Sequence, residues 1–372
     1  MRVVIAPDSF KGSIGAAAAA AALAAGWRQV RPTDEIVELP LADGGEGTLA
    51  MLAAAVPASR WHPAEVSGPV AARVRAAWLE LPGNVAVIEL ATAAGLTQLA
   101  ELQPLAAHSY GVGELIGRAL DAGARRVLVA LGGSACTDGG TGALAALGAR
   151  FLDDAGMPLP RGGGALRRLA AVDLAGLRPV PPDGVSCLTD VRAPLLGPDG
   201  AAAVFGPQKG AGPADIAALE AGLEKLAALL GGDPGEPGAG AAGGCGYGLA
   251  AGWRSKLLPG AAELAAIAGL PQALAGADLV ITGEGRYDLT SLHGKVVGAV
   301  SAMAGSTATG AATLGSAMTG VPVAIVAGQL ALAPPPGARA VELAALAGGA
   351  KAAIREPARW LAAAGAELAC AS

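Results

Sequence analysis

LGGSACTDGGTGAL, residues Leu131–Leu144, follows the apolar run Val127–Leu131 and leads into an alanine- and leucine-rich run, Ala143–Leu147. The first run reads as a buried strand and the second as a helix, so the chain turns from strand to helix through five glycines. Glycine lets a backbone turn tightly and approach a ligand closely, and a helix N-terminus offers free N–H groups to an anion. A plain strand–turn–helix corner would account for one glycine pair. Ser134, Thr137 and Asp138 in the same turn point instead to a site for anionic oxygens at the carboxyl end of a sheet strand.

Outward from this stretch the same wiring recurs. Val3–Ala6 reads as a strand, followed by PDSFKGS (Pro7–Ser13) and an alanine-rich helix to about Gly26, with Ser13 as its N-cap. Glu35–Leu39 runs into ADGGEGT (Ala42–Thr48) and a helix from Leu49 to about Val56. Two such units imply a parallel α/β sheet. Ala64–Val66, Arg73–Leu81 and Val85–Leu90, separated by Gly and Pro breaks, read instead as a β-meander, which places a domain boundary near Trp61–Ser67. A helix is expected at Gly111–Ala122, a strand at Val185–Thr189 ending in Asp190, and a helix at Asp215–Leu230. Gly231–Gly248 reads as a glycine-rich loop, Leu279–Thr282 and Val321–Ala327 as strands, and Pro357–Ala369 as the last helix.

The chain of 372 residues suggests about two domains. It is 53% hydrophobic with only 3% aromatic residues, so its core must be built from Ala, Leu and Val. A net charge of −5 leaves no basic footprint for nucleic acid. Four scattered cysteines, with no CxxC pair, fit buried thiols in a reducing, cytoplasmic setting better than zinc or disulfides. No secretion signal is read at the N-terminus. Val296–Ala338 lacks charge, but recurrent Ser, Thr and Gly and then Pro322 make it a poor membrane span.

Strands repeatedly end in acids beside glycine and lysine: Asp8 with Lys11, Asp43 with Glu46, Asp138, Asp190, then Glu284, Arg286 and Asp288 with Lys295. In α/β sheets the carboxyl ends of strands converge on the ligand cleft. Carboxylates there make sense when a divalent cation bridges them to phosphate oxygens, as phosphoryl transfer requires. There is no G-x-x-x-x-G-K-[ST] loop, and the G-x-G-x-x-G at Gly238, Gly240 and Gly243 does not follow a strand, so a dinucleotide fold is discounted.

PDSFKGS, ADGGEGT, SYGVGELI (Ser109–Ile116), LGGSACTDGG (Leu131–Gly140), VFGPQKGA (Val204–Ala211), AGAAGGCGYG (Ala239–Gly248) and ADLVITGEGRYD…HGK (Ala277–Lys295) occur in order. Together they closely resemble the type I bacterial glycerate kinases over nearly the whole chain. The resemblance implies phosphorylation of D-glycerate with ATP and Mg²⁺, with 2-phosphoglycerate preferred over 3-phosphoglycerate as product. It also implies a flavodoxin-like parallel-sheet domain (residues 1–60 and 285–372) into which a second α/β domain (61–284) is inserted.

Asp190, with the family motif around it, is the candidate base for the glycerate hydroxyl, and Asp8 and Lys11 are expected to face metal and phosphate. Ser9, Gly44, Gly45, Gly133, Ser134 and Thr137 are candidate phosphate or substrate contacts. Asp43 and Glu46 join that set, with capping of the following helix as the alternative. Lys209 and Lys295 suit phosphate or the glycerate carboxylate, and the planar fork of Arg286 suits that carboxylate. Asp138, Glu284 and Asp288 are the candidate metal ligands. His293, beside Gly294–Lys295, reads as a hydrogen-bonded structural residue. The chain departs from the family pattern at Cys136–Thr137, at Ala193 where an Asn is usual, at Thr290 where a Gln is usual, and in a longer Ser301–Gly320 segment. Two rivals stay open, a kinase for another small hydroxy acid and a degenerate homologue that binds glycerate or nucleotide without turnover. A third, a nicotinamide dehydrogenase, would need a glycine fingerprint after a strand, which this chain lacks, and the sequence is compatible with a homo-oligomer.

Overall fold

Val3, Val4 and Ile5 are fully buried, and a strand with no exposed side chain must lie inside a sheet covered on both faces. The computed structural model describes residues 1–292, 294–305, 320–335 and 337–372. His293 and the 306–319 part of Ser301–Gly320 lie outside the described residues. In chain order the strands are β1 (Arg2–Ile5), β2 (Glu35–Glu38), β3 (Arg60–Ser67), β4 (Arg73–Leu81), β5 (Val85–Glu89), β6 (Arg126–Ala130) and β7 (Arg150–Leu152). They continue as β8 (Ala171–Asp173), β9 (Val185–Leu188), β10 (Lys256–Leu258), β11 (Leu279–Tyr287), β12 (Val323–Leu330) and β13 (Arg339–Glu342).

The chain divides into two compact units. The first comprises Met1–Asp43, Ala50–Ala55 and Gly260–Ser372. Its sheet is wholly parallel, in the order β13-β12-β11-β1-β2. The boundary expected at residue 285 would cut through β11, which pairs with β1 from Leu279 onward; the chain re-enters this unit at Gly260. β11 also outlasts the expected strand, because Glu284, Arg286 and Tyr287 keep pairing with β12.

One face of this sheet is covered by the helices Ala16–Val30 and Pro357–Cys370, whose Leu23, Trp27, Leu361 and Leu368 pack with Ile5, Ile281 and Val326. The helices touch at glycines. A Cβ on Gly26 would lie 1.8 Å from the carbonyl oxygen of Ala362, and one on Gly365 would lie 2.2 Å from that of Leu23. Gly26→Ala is therefore expected to destabilise the chain by about 1–3 kcal/mol, although alanine is the better helix former. Urea unfolding measures it, and a neutral result would mean the helices part freely. Ser13 does not cap the first helix: Gly15 holds the N-cap position, and the Ser13 hydroxyl donates to the Phe10 carbonyl at 2.7 Å.

The second unit comprises Gly44–Leu49 and Val56–Pro259. Its sheet runs β10-β9-β6-β5-β4-β3, parallel from β10 to β5 and antiparallel through β4 and β3, the expected meander. Gly231–Gly248 is not loop throughout. A helix, Ala241–Trp253, starts inside it across a kink where Ala242, Gly243 and Gly244 take left-handed conformations. The kink allows close approach, since a Cβ on Gly243 would sit 2.1 Å from the Cys136 carbonyl oxygen. No helix among the described residues is long and apolar enough to cross a membrane.

Candidate active site

The carboxyl ends of the first unit's strands open onto a cavity of about 340 Å³. The loop after β1 brings Asp8, Ser9 and Lys11; the segment after β2 brings Asp43; the end of β11 brings Glu284, Arg286 and Asp288; Lys295 stands at the N-cap of the helix Val296–Met303. All eight were expected from sequence, and the topology brings them together. Asp8 is locked to the sheet by its N–H, which donates to the Gly283 carbonyl at 2.9 Å. Gly285 and Gly328 meet on the cavity lining, where a Cβ on Gly328 would lie 2.3 Å from the Gly285 oxygen.

The charges interlock. Lys11 Nζ pairs with Asp43 Oδ2 at 3.1 Å, Lys295 Nζ with Glu284 Oε2 at 3.5 Å, and Arg286 Nε with Asp288 Oδ2 at 3.6 Å. Thr290 donates to Asp288 Oδ1 through its N–H and its hydroxyl, and these bonds hold the Asp288 carboxyl below its usual range. Partial desolvation works against the Lys11 charge, but Asp43, Asp8 and Glu284 outweigh it and raise its pKa. Burial raises Glu284 as well, against the Ser291 hydroxyl and Lys295, which favour its charged form.

Asp8 is the most perturbed acid of the cluster. Burial, then the Asp43 and Glu284 carboxylates, push its pKa up to about 7, against the Ser9 N–H and Lys11. In the unfolded chain it titrates near its ordinary value of about 4. Between those values the folded state holds the extra proton, so stability falls as pH rises through that window. Asp8→Asn should flatten this slope and leave the variant more stable than the parent at about pH 8 but not at about pH 5. Urea unfolding at both pH values checks it; an unchanged slope would refute the crowding of these acids.

In the second unit, three expected contact residues turn inward. Asp138 is fully buried. Its Oδ2 accepts from the Ser109 N–H (2.8 Å), the Ser109 hydroxyl (2.9 Å) and the Gly142 N–H (3.1 Å), and its Oδ1 accepts from the Gly140 N–H (3.2 Å). The expected metal ligand instead fastens the starts of the helices Tyr110–Asp121 and Thr141–Ala146. Lys209, expected on phosphate, is 2% exposed, and its Nζ donates to Ser134 Oγ (2.9 Å) and the Cys136 carbonyl (2.6 Å). Burial draws its pKa down. Thr137 is fully buried, and its hydroxyl meets no hydrogen-bond partner among the described residues. Ser134 is 7% exposed, so the turn meets the surface mainly at Gly132 and Gly133. Cys136 is buried, and burial raises its thiol pKa, so it stays protonated.

Gly44 and Gly45 pack on this turn: the Gly132 N–H donates to the Gly44 carbonyl at 3.0 Å, and a Cβ on Gly132 would lie 2.4 Å from Gly45 Cα. Glu46 is exposed. Helix capping, the alternative for Asp43 and Glu46, falls to Glu89 at the end of β5, whose oxygens accept from the Gly47 and Leu49 N–H groups at 3.1 Å each. Glu89 was missed, although an acid ending a buried strand is the signal that found Asp8 and Asp190. Asp190 is half-buried, just beyond β9, and Ala193 accepts the Gly240 N–H through its carbonyl at 2.9 Å.

The model of the Glycerate kinase family matches residues 3–371. The Glycerate 2-kinase of Escherichia coli K12 is 42% identical over 307 residues, covering 80% of each chain. The Glycerate kinase of Bacillus subtilis 168 is 43% identical over 307 residues, covering 79% of each. An uncharacterized Mycobacterium bovis protein is 44% identical over 343 residues, covering 89% of this chain and 80% of its own. A crystal structure from Salmonella typhimurium LT2, assigned as a glycerate kinase 2, superposes with a TM-score of 0.80 at 36% identity, covering 100% of this chain and 98% of that one. A match of this extent makes the chain a member of the glycerate kinase family of enzymes.

Proposed function

We propose that this protein transfers the γ-phosphoryl group of ATP to D-glycerate, with Mg²⁺, giving 2-phosphoglycerate and ADP. The observation that carries the reading is the cavity in which Asp8, Lys11, Asp43, Glu284 and Lys295 meet, in a chain whose relatives include a Glycerate 2-kinase. The glycerate hydroxyl oxygen attacks the γ-phosphorus, the bond to the β,γ-bridging oxygen breaks, and the hydroxyl proton passes to a carboxylate, for which Asp190 is our choice. Lys11 and Lys295 offset phosphate charge, and Arg286 suits the glycerate carboxylate.

The residues fit a magnesium ion. Glu284 is a buried carboxylate at the cavity wall, and Asp8 and Asp43 crowd negative charge there, the donor chemistry a hard cation takes. Magnesium keeps several waters and is completed by substrate phosphates, so one or two carboxylates suffice to hold it. When bound, it would supply charge neutralisation on those phosphates. Of the proposed ligands Glu284 and Asp288 remain, and Asp138 is withdrawn.

³¹P NMR after incubation with D-glycerate and MgATP tests the reading. A 2-phosphoglycerate signal is expected, and a 3-phosphoglycerate signal would overturn the position alone. No glycerate-dependent signal from folded, nucleotide-binding protein would overturn the substrate and favour another small hydroxy acid.

A further inference from the structure

The order β13-β12-β11-β1-β2 lays the cavity out as a line across one sheet edge. Asp43 follows β2, Asp8 and Lys11 follow β1, and Glu284 lies in the last part of β11, so charge gathers on that side. Beyond β12 the lining changes character. The segment after β13 supplies Leu343, Ala350, Ala353, Ile354 and Pro357, none with a polar side-chain atom. Ile354 is 59% exposed, although its apolar neighbours on the cavity wall, Leu343 and Ala353, are buried. A large aliphatic side chain left open at a cavity wall gains by being covered.

The space is also larger than one small acid fills. A cavity of about 340 Å³ suits a ligand of cofactor size, whereas glycerate has three carbons and no apolar face. A ligand that is polyanionic at one end and flat and weakly polar at the other matches both halves.

We propose that the Leu343–Pro357 wall is the subsite for the base and ribose of a nucleoside triphosphate, with its phosphates toward Lys11 and Lys295; this rests on the kinase reading above. The wall contributes by covering apolar surface, so it should distinguish a nucleotide from bare polyphosphate. Titration calorimetry with MgATP and with magnesium tripolyphosphate, on the parent and on Ile354→Asn, makes the test. Ile354 is exposed enough for the variant to fold, which circular dichroism verifies.

The parent should bind MgATP more tightly than tripolyphosphate. Ile354→Asn should weaken MgATP roughly tenfold, the scale expected when one aliphatic side chain no longer covers the base, and leave tripolyphosphate unchanged. Unchanged ATP affinity in the variant, an equal loss for both ligands, or a parent that does not distinguish them would each overturn the subsite. A parent that binds ATP with this signature but gives no glycerate-dependent product would sink the glycerate reading and leave the subsite standing.

Discussion

Asp138→Ala is expected to lower the unfolding free energy by about 3–5 kcal/mol, because several buried donors lose their one acceptor together. The substitution leaves four donors facing an empty space: the Ser109 N–H and hydroxyl, and the Gly140 and Gly142 N–H groups. Each buried donor left unmade costs about 1–3 kcal/mol. The Ser109 hydroxyl is also placed to accept from the Ala143 N–H at 3.0 Å, so the loss would spread to a second helix start. Two helix N-termini also lose a nearby negative charge. Denaturant unfolding with linear extrapolation gives the value. A loss under about 1 kcal/mol would mean that water replaces the carboxylate, and the burial of Asp138 would then be wrong.

Asp138 also shows where sequence reasoning reaches its limit. An acid among glycines after a buried strand marks the turn correctly, but residue type does not say which way the carboxylate points. Asp8 and Asp138 both stand in loops that follow parallel strands, β1 and β6; one lines a cavity and the other is consumed by N–H groups. What separates them is Ser109, 29 residues away, which brings both a hydroxyl and an N–H to Asp138. Lys209 is the same case, since its partners at Ser134 and Cys136 lie more than 70 residues away. The parallel strands and the meander were legible because their apolar runs and breaks are local. The kinked start of Ala241–Trp253 was not, because glycine density there reads as loop until the Cys136 carbonyl that requires it is in view. The apolar wall at Leu343–Pro357 left no motif, only ordinary helix positions next to an edge strand.

Asp190→Asn is expected to reduce kcat by roughly 10²–10⁴-fold, the contribution of a positioned general base, with the KM for glycerate changed only a few-fold. Asparagine keeps the shape and loses the ability to take the hydroxyl proton. A turn or helix-cap role for Asp190 would predict little effect on kcat. No helix follows until Ala201–Phe205, and the Val191 N–H donates to the Thr189 hydroxyl at 3.2 Å. The backbone on either side is fixed: the Thr189 N–H donates to the Leu258 carbonyl at 3.0 Å, the Ala193 carbonyl accepts from Gly240, and a Cβ on Gly240 would lie 2.2 Å from the Pro194 oxygen. The chain therefore spends a rigid, glycine-matched segment on holding one half-buried acid at a strand end. Steady-state kinetics on Asp190→Asn decides, with unfolding confirming that the variant is intact. Activity within tenfold of the parent would move the base elsewhere, and Asp8, whose pKa of about 7 keeps a proton-accepting carboxylate within reach near neutrality, would be the acid to replace next.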